Sequence, residues 1–123
     1  MTEAASGATP AELALGNVSI DLSTFKVNVG PGPANLTYQE FELLHYLADL
    51  RDRVVSFDAL SDHLWGSTGP KETRRLNVLV CRLRTKLRGS HPYQLETVRG
   101  RGYGLLSSRV AEQPLQGRER DDM

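Results

Sequence analysis

Arg74, Val78, Cys81, Arg82 and Thr85 follow one another at steps of three or four residues, or adjoin. On an α-helix, at about 100° per residue, they gather on one side. Arg75 and Arg88 fall at the margins of that side, and Leu76, Val80, Leu83 and Leu87 form a stripe opposite it that suits burial against other helices. An arginine can bridge O6 and N7 of guanine, a valine methyl can meet the methyl of thymine, and a threonine hydroxyl can bond a base edge or a phosphate. A face turned only to water would rarely carry Val and Cys among its arginines. The competing reading is a solvated charged face, which describes most charge runs.

Charge placement sharpens the choice. Between Lys71 and Gly104 nine basic residues stand against two acids, a net +7 in a chain whose formal charge is zero, so the remainder carries −7. A molecule polarised in this way turns one side toward a polyanion and the other away from it. Thr73 and Arg74 stand near the expected start of the basic helix, where free amides and the helix dipole suit a phosphate. Arg99 and Arg101 lie on a glycine-flexed turn that can reach an adjacent groove or the backbone.

Other chemistries find little support. His45, His63 and His91 are scattered, Cys81 has no evident base, and neither a glycine-rich phosphate loop nor a paired-carboxylate motif is present, so no enzyme, metal or cofactor is expected. The single cysteine has no partner for an internal disulfide. The longest apolar runs fall far short of the roughly 20 residues of a membrane span, and the N-terminus lacks a signal pattern, so a soluble, cytoplasmic protein is expected.

The elements that must position these side chains follow from pattern and caps. Residues 1–12 read as a flexible arm, 13–106 as one domain, and 107–123 as a loose tail. Val18, Ile20, Phe25, Val27 and Val29 alternate with polar residues, which predicts short antiparallel strands with a turn over Asp21–Thr24. Gly30, Pro31, Gly32 and Pro33 punctuate their end, and a further short strand is expected at Asn35 and Leu36. Thr37 and Glu40 make a capping box for a first helix with the core stripe Phe41, Leu44, Leu47 and Ala48. Arg53, Val54 and Val55 predict a brief strand; Ser56 caps a second helix over Phe57–Trp65, and Gly66 ends it. A loop of Ser67, Thr68, Gly69 and Pro70 leads to the basic helix, from about Glu72 to Arg88 with Gly89 as its stop. A hairpin from Leu95 to Leu106 turns through Gly100, Arg101 and Gly102.

This order of elements resembles the winged-helix effector domains of the OmpR/PhoB family of bacterial response regulators, over about Leu13–Leu106. Leu36, Thr37, Glu40, Phe41, Leu44 and Leu47 carry the resemblance first, then Arg53-Val54-Val55, Leu60 and Leu64-Trp65-Gly66. Arg74, Val78, Arg82-Leu83-Arg84 and Lys86-Leu87 continue it, and Thr97-Val98-Arg99-Gly100 with Gly102-Tyr103 closes it. The resemblance implies an α+β fold: a winged helix-turn-helix with an N-terminal four-stranded antiparallel sheet, a three-helix core and a C-terminal β-hairpin wing. It implies sequence-specific binding of double-stranded DNA by a transcription regulator. Contacts would come from Arg74, Val78, Arg82 and Arg84 on the helix, and from Thr97, Arg99 and Tyr103 on the wing. Trp65 and the loop through Gly66, Ser67, Thr68, Gly69, Pro70 and Lys71 lie where family members touch the DNA backbone or RNA polymerase. A protein-interaction module acting on RNA polymerase or another regulator is therefore the alternative. Asn77, Leu79 and Cys81 depart from the residues usual at their positions, Asp, His, and Arg or Ser. The family's receiver domain is not seen, which leaves a stand-alone regulator or a fragment. Without a receiver and without a heptad repeat, the chain is expected to be a monomer in solution, paired head to tail on DNA.

Overall fold

Alternation of apolar and polar residues ahead of the first helix produces a four-stranded antiparallel sheet in the computed structural model, which describes residues Glu12–Ser107. Its strands run in chain order, β1 (Glu12–Leu15), β2 (Val18–Asp21), β3 (Lys26–Val29) and β4 (Gly32–Ala34). The expected arm and tail lie outside the described residues except for Glu12 and Ser107, which belong to strands. Leu15, Val18, Ile20 and Val27 are buried. Gly16, at φ +63, and Asn17 close the first hairpin with Leu15 opposite Val18, a turn that alternation alone does not mark. The second turn forms where expected: Asp21 Oδ1 accepts from the Ser23 amide and hydroxyl and from the Thr24 amide.

Two expectations here need correction. Phe25 is not an inward strand residue. It ends the turn in the left-handed region at φ +59, which brings Lys26 opposite Asp21, and its ring is 56% exposed, edge-on to Phe41. The last strand is Gly32–Ala34, not Asn35–Leu36, since Pro33 is tolerated on an edge strand that pairs only with β3.

Local chemistry sets the helices. For α1 (Tyr38–Asp49), Thr37 Oγ1 accepts from the Glu40 amide at 3.2 Å and Glu40 Oε1 accepts from the Thr37 amide at 2.9 Å, the expected capping box. Phe41, Leu44, Leu47 and Ala48 are buried as the periodicity requires, and Leu43 joins them. The brief strand is β5 (Val55–Ser56), displaced from the expected run, with Arg53 and Val54 exposed. Ser56 Oγ then accepts from the Ala59 amide to start α2 (Phe57–Trp65), which ends on Gly66 at φ +71. The basic helix α3 spans Pro70–Lys86. It begins ahead of the expected Glu72 because Pro70, lacking an amide hydrogen, occupies the first turn where none is needed.

The closing hairpin is β6 (Tyr93–Val98) and β7 (Gly102–Ser107), and β5 joins it in the order β5-β7-β6. Its turn is Arg99-Gly100-Arg101, with Gly100 at φ +73, while Gly102 lies in the strand opposite Val98. A Cβ at Gly102 would fall 1.9 Å from the Val55 carbonyl oxygen, so the missing side chain is what lets β5 approach. One continuous core joins the first sheet, the three helices and the hairpin. The fold is an α+β winged helix, and no described helix is long and apolar enough to cross a membrane.

Candidate nucleic-acid interface

Burial divides α3 along the expected line. Leu76, Val80, Leu83 and Leu87 are in the core, and Arg74, Val78, Cys81, Arg82 and Thr85 are exposed, Val78 by 49%. Leu79 is only 7% exposed, so it belongs to the core and not to the outward face. The Thr85 hydroxyl donates to the Cys81 carbonyl at 3.1 Å and keeps its lone pairs for an incoming donor. Val78 and Cys81 form a small apolar centre flanked by Arg74 and Arg82.

Several residues expected to contact a ligand are occupied with each other. Arg84 Nε donates to the Leu95 carbonyl at 3.1 Å and its Nη2 to Thr97 Oγ1 at 2.8 Å, tying α3 to β6. Tyr103, expected as a wing contact, is 4% exposed, and its hydroxyl donates to Asn77 Oδ1. Its ring packs edge-on to Phe57, and burial first, together with the neighbouring Cys81, pushes the phenol up against the opposing charge of Arg84. Tyr103 is therefore corrected from a contact to a support. Arg99 and Arg101 remain exposed on the wing tip.

The helix N-terminus also differs from expectation. Because α3 starts at Pro70, the Thr73 amide already donates to the Gly69 carbonyl at 2.9 Å, and so does its hydroxyl at 3.0 Å. Thr73 thus has no free amide for a phosphate. Glu72 holds that end instead: its carboxylate accepts from the Ser67 hydroxyl at 2.8 Å, and this bond leads the causes that hold it below the usual range. The connecting loop shrinks to Gly66–Gly69, with Pro70 and Lys71 in the first turn of α3. Trp65 is half-buried and carries the Arg75 guanidinium 4.2 Å above its ring, which draws Arg75 back toward α2.

Lys86 is occupied as well. Its Nζ meets Glu40 Oε1 at 2.7 Å, and that side chain is 2% exposed. Burial pushes the Glu40 carboxyl up, but the bonds from Lys86 and from the Thr37 amide outweigh it and hold the group below its ordinary range. No sequence signal joins residues 46 positions apart. Asn17, also unmarked in sequence, clamps the connector between α3 and β6: its amide donates to the His91 carbonyl at 2.8 Å, its Nδ2 to the Gly89 carbonyl at 3.0 Å, and its Oδ1 accepts from the His91 amide at 2.7 Å.

Comparison with known proteins agrees with this architecture. Residues 32–105 match the family described as transcriptional regulatory protein, C terminal. Sensory transduction protein RegX3 of Mycolicibacterium smegmatis is 39% identical over 101 residues, 80% of this chain and 44% of that protein. The chain thus spans less than half the length of the curated relatives it matches. The crystal structure of the Klebsiella pneumoniae RstA DNA-binding domain in complex with RstA box superposes with a TM-score of 0.69 at 31% identity, covering 77% of this chain and 96% of that one. The response regulator AdeR DNA-binding domain, in complex with an intercistronic region, gives a TM-score of 0.67 at 29% identity over 77% of this chain and 99% of that one.

Proposed function

The chain belongs to the family of transcriptional regulatory protein C-terminal domains, and on that premise we propose that it binds double-stranded DNA sequence-specifically as part of bacterial transcription control. Helix α3 enters the major groove, and the β6–β7 wing takes the adjacent groove or backbone. The observation that carries this reading is the division of α3: a buried leucine and valine stripe behind, and Arg74, Val78, Cys81 and Arg82 exposed in front. The DNA complexes of the RstA and AdeR domains support it. In this reading Arg82 and Val78 read bases, Arg74, Arg88, Arg99 and Arg101 meet phosphates or a groove, and no catalysis, metal or cofactor is required. The protein works in the cytoplasm.

The loop Gly66–Gly69, exposed over Gly66–Thr68 and flanked by Trp65 and Pro70, supplies a separate surface for RNA polymerase. Selection of duplexes from a randomised library by the purified chain tests the main assignment. Enrichment of one short motif, with affinity lost when that motif is scrambled, is expected. Failure to enrich any duplex while polymerase is still bound would replace it with the protein-interaction reading.

A further inference from the structure

Asn77 and Arg84 stand seven residues apart on α3, two helical turns, so they project from one stripe of that helix. Their partners, Tyr103 on β7 and Thr97 on β6, are directly opposite each other in the hairpin. One helical stripe therefore grips both strands of the wing at a single rung. That rung lies two residues below the tip on each strand, since the turn is Arg99-Gly100-Arg101. Arg84 adds a second hold one step down β6, on the Leu95 carbonyl, which the edge strand would otherwise leave open.

From this juxtaposition we infer that Arg84, with the Asn77–Tyr103 bond, is a positioning device that fixes the wing tip relative to the recognition helix, and that its side chain serves DNA binding through the wing. The inference rests on the DNA-binding reading above. Its physical basis is the planar guanidinium, whose donors fit two acceptors at fixed angles; a lysine in its place keeps the charge and loses the fork. A wing held at one rung by two bonds cannot pivot about the connector at Gly89–Pro92. The spacing between what α3 reads and what Arg99 and Arg101 touch is then set before DNA arrives, and ordering cost is avoided on binding.

The test is a double-mutant cycle on the full chain, using a duplex that the wild type recovers from a randomised library. R84K is measured with the native wing tip and again with R99A/R101A. Expected is a loss of about tenfold in affinity with the native tip and less than about twofold without it, the coupling that defines action through a shared partner. Y103F, which removes the hydroxyl bonded to Asn77 from a side chain only 4% exposed, repeats the pattern and guards against a special effect of the lysine. An equal loss in both backgrounds, or no loss with the native tip, overturns the assignment. If the wild type recovers no duplex, the DNA-binding reading itself fails and this inference goes with it, a result distinct from additivity.

Discussion

Arg82 is the side chain most exposed to a decisive test, because none of the described residues competes for its guanidinium. Arg75 lies over Trp65, Arg84 is bonded to β6 and Lys86 is bonded to Glu40, whereas Arg82 is exposed beside Val78 and Cys81 and pairs with none of the described residues. A free fork next to a small apolar centre suits a guanine beside a thymine methyl. Arg82→Ala is expected to relax preference at one base pair and to cost about 1 to 3 kcal/mol of binding. Repeating the library selection with the variant checks this, and an unchanged motif would remove Arg82 from base reading. The outward face was legible at this scale, because helical periodicity alone separates it from the leucine stripe. Which arginines were free was not, since Arg84, Arg75 and Lys86 are engaged by residues that lie near them only in three dimensions.

Elements whose ends are set by neighbours in sequence were legible: the Thr37–Glu40 box, the Ser56 cap and the Gly66 stop all depend on atoms within four residues. Where pairing decides, the hairpins were legible but not the exact place of each residue in them. Phe25 follows the register of Lys26 opposite Asp21, and β4 exists because β3 offers an edge. The same contrast governs how α3 is seated on α1. Glu40 first serves the cap locally, then takes Lys86 from the far end of the basic helix. With its carboxyl held below the ordinary range, this pair stabilises the fold at neutral pH, and the contribution is lost as the pH falls through the depressed value. Lys86→Met leaves a buried carboxylate without its cation and should cost about 2 to 4 kcal/mol at neutral pH. In the variant burial acts unopposed by the ammonium and raises the carboxyl, so the gap from wild type should narrow on acidification. Urea unfolding of both proteins near neutrality and at about pH 4 tests this; a gap independent of pH would show that Lys86 stabilises α3 by packing alone.

The whole molecule carries its charge in two halves, +7 between Lys71 and Gly104 and −7 elsewhere, an asymmetry that suits one side of it to a polyanion. No heptad repeat is available to hold a dimer, so a monomer is expected in solution, with a pair formed on a duplex carrying two repeats through linked contacts. Light scattering with and without that duplex decides, and a stable dimer in the absence of DNA would reveal an interface on the described sheet or beyond it. Salt dependence measures how much of the basic segment is available. Nine cations lie in the segment, but Arg75, Arg84 and Lys86 are occupied within the protein, and Arg82 is assigned to a base. Lys71, Arg74, Arg88, Arg99 and Arg101 are left for phosphates, all exposed. Counterion release then sets the slope of log affinity against log salt at about −4.5 for a single-site duplex, against about −8 if all nine cations met phosphates. A slope near the larger value would mean that DNA pulls Arg84 and Lys86 from their protein partners, and that the wing is not held in advance. A flat response would mean that the basic face is only solvated. The expected value lies between the two because the fold has already committed part of its positive charge to holding α3 against α1, α2 and the wing.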